Sequence, residues 1–147
     1  MIQRIQTIYI LLAAILTATL FKLKFADLIV NNELLTFTAK GIFKDAEQVF
    51  NGLPILIFIG IIALLHLAII FMYKKRIRQI RFLVFSIILL LGLFGMFFYF
   101  TYAGFDDAKV AFKIPVAFPV VAIVLDYLAI RAIGKDEALI RSLNRIR

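Results

Sequence analysis

His66 and Asp126 are the two residues whose types, set inside long apolar runs, point to chemistry. An ionisable side chain in such a run is costly to keep there and marks a functional site by default. An imidazole beside a carboxylate can take up and release a proton around neutral pH. Each residue stands a few positions from the same end of its segment, so at about 1.5 Å of rise per residue the two share a depth and could touch. No further acid or base inside the runs continues a proton path. The competing reading is structural: Asp126 pairs with Arg131, with the basic stretch at 74–81 or with a partner chain, while His66 is hydrogen-bonded within a helical bundle.

Other chemistry is thinly supplied. With no cysteine and one histidine, the chain has no disulfide, no thiolate nucleophile and no multi-ligand Cys or His metal site. Asp106 and Asp107 are adjacent, but calcium takes six or more oxygens and nothing nearby supplies the rest. There is no nucleophile elbow, no phosphate-cradling glycine loop and no carboxylate pair set in a cleft. A non-enzymatic protein without cofactor or metal is the expectation.

The elements that carry His66 and Asp126 are membrane-like. Of the 147 residues, 64% are hydrophobic, and the mean hydropathy is +1.03, well above the roughly half-apolar make-up of a soluble domain. The apolar residues fall into four blocks, which predicts spans at about 5–21, 53–73, 82–102 and 114–133, each near the ~20 residues that cross a hydrocarbon core of about 30 Å. The first could pass for a signal peptide. Thr17-Ala18-Thr19 followed by Leu20 and Phe21 is a poor small-x-small cleavage site, however, so the segment is read as a retained span. Ala13 and Thr17, like Ala14 and Ala18, are spaced for close helix approach. In the last block Pro119 predicts a bend or a late helix start, and Ala122, Asp126 and Ala129 form one small face that should turn inward.

Charge fixes the orientation. Lys74, Lys75, Arg76, Arg78 and Arg81 stand between the second and third blocks and read as a cytoplasmic loop at 74–81, because short loops rich in Lys and Arg stay on that side. With Arg4, Arg131, Lys135, Arg141, Arg145 and Arg147 they put eleven cations on one side against Asp136 and Glu137, whereas six cations meet six acids on the other. Both termini are therefore expected in the cytoplasm. The net charge of +8 sits at membrane borders without a stacking platform for bases, so nucleic acid is not an expected partner. Membrane lipids, including anionic head groups, are.

The outer loops are 22–52 and 103–113. In the first, Phe25 to Val30 and Glu33 to Thr38 flank Asn31-Asn32 as a β-hairpin, since Asn tolerates the positive φ of a tight turn. Lys44 to Phe50 reads as a helical turn. Lys109 to Ile114 alternates like a strand and could add a third to the hairpin. Phe97, Phe98, Tyr99, Phe100 and Tyr102 read as an interfacial aromatic belt. The tail, 134–147, reads as a basic amphipathic helix lying on lipid or on a partner. The fold class expected is an all-α integral membrane protein: a four-helix transmembrane bundle with a small extracytoplasmic hairpin or three-stranded sheet and a C-terminal amphipathic helix, forming a single domain.

The opening Met1-Ile2-Gln3-Arg4-Ile5-Gln6-Thr7 with Leu11-Leu12-Ala13-Ala14, and the closing Lys135-Asp136-Glu137-Ala138-Leu139-Ile140-Arg141-Ser142, resemble the signatures of a bacterial family of unknown function made of small four-span inner-membrane proteins. The resemblance covers the whole chain. It implies the same topology and a bacterial inner-membrane location, and it carries no activity or catalytic residue. The function expected is an accessory or scaffold subunit of a membrane complex, joined to another membrane protein or to itself; the alternative is a small oligomeric transporter or channel subunit that uses His66 and Asp126.

Overall fold

Helix formation follows the apolar blocks, but the segment between the first two helices folds into far more sheet than its composition announces. The structure, a computed structural model, describes residues 3–31, 33–45, 47–103, 105 and 108–144. In order these form α1 (Gln3–Thr19), β1 (Lys24–Val30), β2 (Glu33–Thr38), β3 (Gly41–Lys44), β4 (Glu47–Asn51), α2 (Leu53–Phe71), α3 (Arg76–Tyr102), β5 (Lys109–Phe112), a 3-10 turn (Ile114–Ala117) and α4 (Phe118–Asn144). Three helical stretches, Leu53–Phe71, Arg76–Tyr102 and Ile114–Ile140, are long and apolar enough to cross a membrane. At 17 residues α1 is shorter.

The helices pack in a ring, with α1 against α2, α2 against α3, α3 against α4 and α4 back against α1. Their buried residues recur at alternating steps of three and four. In α2 these are Ile55, Ile59, Ile62, His66 and Ile69; in α3 Leu83, Ser86, Leu90, Leu93 and Phe97; in α4 Ala122, Asp126, Ala129 and Ile133. That spacing places one narrow seam of each helix at the centre, as in left-handed bundles. The outward faces are equally apolar, with Leu64, Ile88 and Val124 all more than half exposed, as suits a lipid-facing exterior.

The expected all-α class is overturned by a five-stranded antiparallel sheet of order β4-β3-β2-β1-β5. The hairpin of β1 and β2 forms as its sequence suggests, with Asn31 at φ 50° and Leu28 opposite Leu35. β5 adds beside β1, Ala26 facing Phe112, so the segment 109–114 does supply a strand, as its alternation predicts. Two further strands form, β4 out of the segment read as a helical turn and β3 just before it. Asp45 takes φ 51°, reversing the chain between β3 and β4 as a tight turn requires. The helix preference of Glu47 and Gln48, worth only tenths of a kcal/mol per residue, then yields to ladder pairing with Lys44 and Phe43. Gly41, at φ +135°, and Gly52 bring their backbones into contact where this hairpin closes: a Cβ on Gly41 would lie 2.0 Å from the Phe50 carbonyl oxygen.

The sheet seats its inner face on the helix ends. Phe25, Leu28, Phe37 and Ile42 join Ile55, Ile59, Leu93 and Phe97 in one apolar core, and the Phe97 ring lies 4.4 Å from that of Phe25 and 6.2 Å from that of Phe37. Edge and tilted contacts of this kind add to the area they bury. A second core of Ile10, Ile69, Leu83, Ala129 and Ile133 fills the opposite end.

Two boundary expectations also change. The basic stretch is a loop only at its start: α3 begins at Arg76, so Arg76, Arg78 and Arg81 lie on its first turns. The C-terminal amphipathic helix is not a separate element, because α4 continues through Gly134 to Asn144. A single glycine costs a helix only about 1 kcal/mol, too little to break one packed along α1. Pro119 does mark a late start: the 3-10 turn ends at Ala117 and Pro119 is the second residue of α4.

Candidate functional site

Each of the two apolar cores ends where a polar layer begins. His66 falls between Ile62 and Ile69, Ser86 between Leu83 and Leu90, and Asp126 between Ala122 and Ala129 on their respective seams. All three side chains are fully buried. Because α2 and α4 are not neighbours in the ring, the contact between His66 and Asp126 crosses the centre of the bundle.

The geometry assigns most of the protons. His66 Nδ1 lies 3.0 Å from the carbonyl oxygen of Ile62; a carbonyl only accepts, so Nδ1 carries a hydrogen and donates it. His66 Nε2 lies 3.1 and 3.2 Å from the two oxygens of Asp126. One proton must occupy that contact, since a bare ring nitrogen facing a bare carboxylate would set lone pair against lone pair in a medium of low dielectric. Imidazolium with carboxylate and imidazole with carboxylic acid both satisfy this, and in both the cluster is neutral overall. The Ser86 hydroxyl stands 3.2 Å from the same Nε2, donating to it or accepting from it according to where that proton resides.

This is not the arrangement that activates a serine. In a hydrolytic triad the hydroxyl and the carboxylate occupy opposite ring nitrogens. Here both meet Nε2, and Nδ1 is held by its own helix. What the cluster does is tie α2, α3 and α4 together with directional bonds at one depth.

Of the structural partners expected for Asp126, neither Arg131 nor the basic stretch is the one found; His66 is. Ser86 was not anticipated, although it is the sole hydroxyl or ionisable side chain between Phe82 and Phe98, which was the available signal. Deeper toward the basic end, the Gln79 side-chain amide donates to the Ile69 carbonyl at 3.2 Å, a second bond to an oxygen that also accepts the Met72 N–H at the end of α2.

The basic residues are dispersed over the surface of that end. Lys74 and Lys75 lie in the connection, with Lys74 Nζ 5.8 Å from the centre of the Tyr73 ring, close enough for a cation–π attraction. Lys74, Lys75, Arg76 and Arg78 border an open depression of about 370 Å³ with Glu137 and Ile140. Arg81 is exposed. Arg141 is described by its backbone alone, and Arg145, Arg147, Asp106 and Asp107 lie outside the described residues. No group of three or more metal-ligating side chains occurs among the described residues.

Comparisons with the curated proteins and with the solved structures gave no match. A family model described as a domain of unknown function (DUF4293) matches residues 2–146, and the chain belongs to that family.

Proposed function

We propose that this is a non-enzymatic, multi-pass protein of the bacterial inner membrane that serves as an accessory or scaffold subunit of a membrane protein complex, with both termini in the cytoplasm and the sheet outside. The observation that carries the reading is the single core shared by sheet and bundle, where Phe25 and Phe37 close on Phe97. A surface so anchored is a rigid platform at the end of the membrane helices, and rigid surfaces lose little freedom when a partner docks. Ile29 and Leu34, cross-strand neighbours, are 44% and 60% exposed and give the platform an apolar contact. The lopsided distribution of cations supports the orientation.

A second reading, a small oligomeric transporter or channel subunit, is favoured by the contact between His66 and Asp126. Against it, the cluster is buried and its protons are committed to hydrogen bonds within α2 and between helices.

Photo-crosslinking from position 34 in cells, followed by purification in mild detergent and mass spectrometry, separates the two. One stoichiometric membrane partner crosslinked through the sheet is the result expected. A homo-oligomer without that crosslink, which moves protons into liposomes and loses the flux on Asp126→Asn, would favour transport instead.

A further inference from the structure

A second intact acid on α4 is buried without the partner that Asp126 has. Asp136 is 7% exposed, yet none of the ion pairs or side-chain hydrogen bonds formed by the described residues reaches it. Its oxygens keep access to the adjoining groove, since they are not among the fully enclosed unpartnered polar atoms, and a carboxylate so largely buried favours a cation or hydrogen-bond donors arriving from that side. Asp136 borders an open groove of about 490 Å³ between α1 and α4, beside Arg131 and Lys135. Those two cations are four residues apart, so they stand one above the other on the helix face, and both are exposed. The rest of the groove is mainly apolar, with Ile5 and Tyr9 from α1 and Leu128, Ala132 and Leu139 from α4, and the Tyr9 phenol is its one other polar group.

We infer that this groove holds a membrane phospholipid whose headgroup joins a phosphate to a primary ammonium group. The phosphate sits on Arg131 and Lys135, the ammonium donates to the Asp136 carboxylate, and the acyl chains leave along Ile5 and Leu128. A purely anionic headgroup would satisfy the two cations but add negative charge beside an unpaired carboxylate. A methylated ammonium would bring the charge without the N–H donors. A soluble phosphate ester would leave the apolar wall uncovered. The inference rests on the reading that the chain lies in a membrane, with the basic end at the lipid surface.

The test is native mass spectrometry of the full-length protein, delipidated in mild detergent and offered defined mixtures of phosphatidylethanolamine, phosphatidylcholine and phosphatidylglycerol. The wild-type protein should retain phosphatidylethanolamine about ten-fold better than phosphatidylglycerol, as one charge-assisted hydrogen bond allows, with phosphatidylcholine between. Asp136→Asn should erase the preference, and Arg131→Gln with Lys135→Gln should weaken all three. Equal retention of the three lipids by the wild type overturns the inference, as does a preference unchanged in Asp136→Asn, or competition by free phosphoethanolamine as strong as by the lipid. The wild-type comparison stands even where Asp136→Asn does not fold. Alkaline extraction of membranes checks the underlying reading separately: release of the protein defeats the membrane placement, whereas retention without lipid preference defeats the site alone.

Discussion

Asp126 presents both carboxylate oxygens to one ring nitrogen of His66, at 3.1 and 3.2 Å, across sixty residues of chain and the centre of the bundle. Since one proton occupies that contact, an amide can stand in for the acid: its NH₂ donates to a neutral Nε2. Asp126→Asn should therefore cost about 1 kcal/mol, the net worth of an ordinary hydrogen bond. Asp126→Ala removes the partner altogether and should cost about 3 kcal/mol, as for other broken buried pairs. Unfolding in detergent micelles checks both, and equal losses would show that the bond to His66 contributes little.

Phe97 is the side chain through which sheet and helices share a core. Phe97→Ala should destabilise the protein by about 3–5 kcal/mol, the usual cost of a large cavity. Its signature in hydrogen exchange should be local: the amides of β1 and β2 should lose protection, while those around Ile69 and Leu83, in the far core, should keep theirs.

Two glycines should behave oppositely on replacement by alanine. Gly41 has φ +135° and backbone atoms where a Cβ would go, whereas Gly134 has nothing within 4 Å of that position. Gly41→Ala should cost about 1–3 kcal/mol in strain, and Gly134→Ala should gain up to about 1 kcal/mol in helix preference. Thermal unfolding of the pair compares them directly.

The ammonium of Lys44 lies 2.6 Å from a carboxylate oxygen of Glu33. Its pKa is raised above 10.5, first by that hydrogen bond, with desolvation opposing it and the charges of Glu33, Asp45 and Glu47 adding to it. A raised lysine pKa stabilises the fold fully below the unfolded value and loses that contribution as pH rises through the folded one. The stability difference between wild type and Lys44→Met should thus stay flat from about pH 7 to pH 10 and fade above it. The pair is exposed, so the difference should be small.

The absence of cysteine makes the chain a clean background for topology. Val49→Cys, on the sheet, and Tyr73→Cys, at the basic end, should react with an impermeant thiol reagent from opposite sides of the membrane. Labelling of both from one side would refute the proposed orientation.

How much of this was legible depended on polar residues. In a bundle whose exterior faces lipid, apolar residues carry no inside-outside signal, because the outside is as apolar as the core. The seam of α4 could be read from Asp126 and its flanking alanines, and that face is the buried one. Ser86 carried the same information for α3 but was overlooked, since a lone helical hydroxyl commonly bonds its own backbone, as Thr17 and Thr101 do here. The tail from 134 reads as a separate helix, so the burial of Asp136 follows only from the continuity of α4. The strands β1, β2 and β5 announced themselves by turn chemistry and alternation. The strands β3 and β4 did not, because Lys44 to Phe50 has a helical composition and the decisive feature was the left-handed backbone at Asp45.

The irregular pairing of β3 with β4 bears on how copies of this protein coexist. Between Ile42 opposite Phe50 and Phe43 opposite Gln48 the register slips, and the Gln48 amide turns back to the carbonyls of Lys40 and Phe50. A bulge and a diverted acceptor on an outermost strand discourage a foreign strand from adding there. Molecules confined to a sheet of lipid meet at one height and in one orientation, so a straight, open strand would invite them to polymerise sideways. The bulge at Val49 lowers that hazard along the β4 edge.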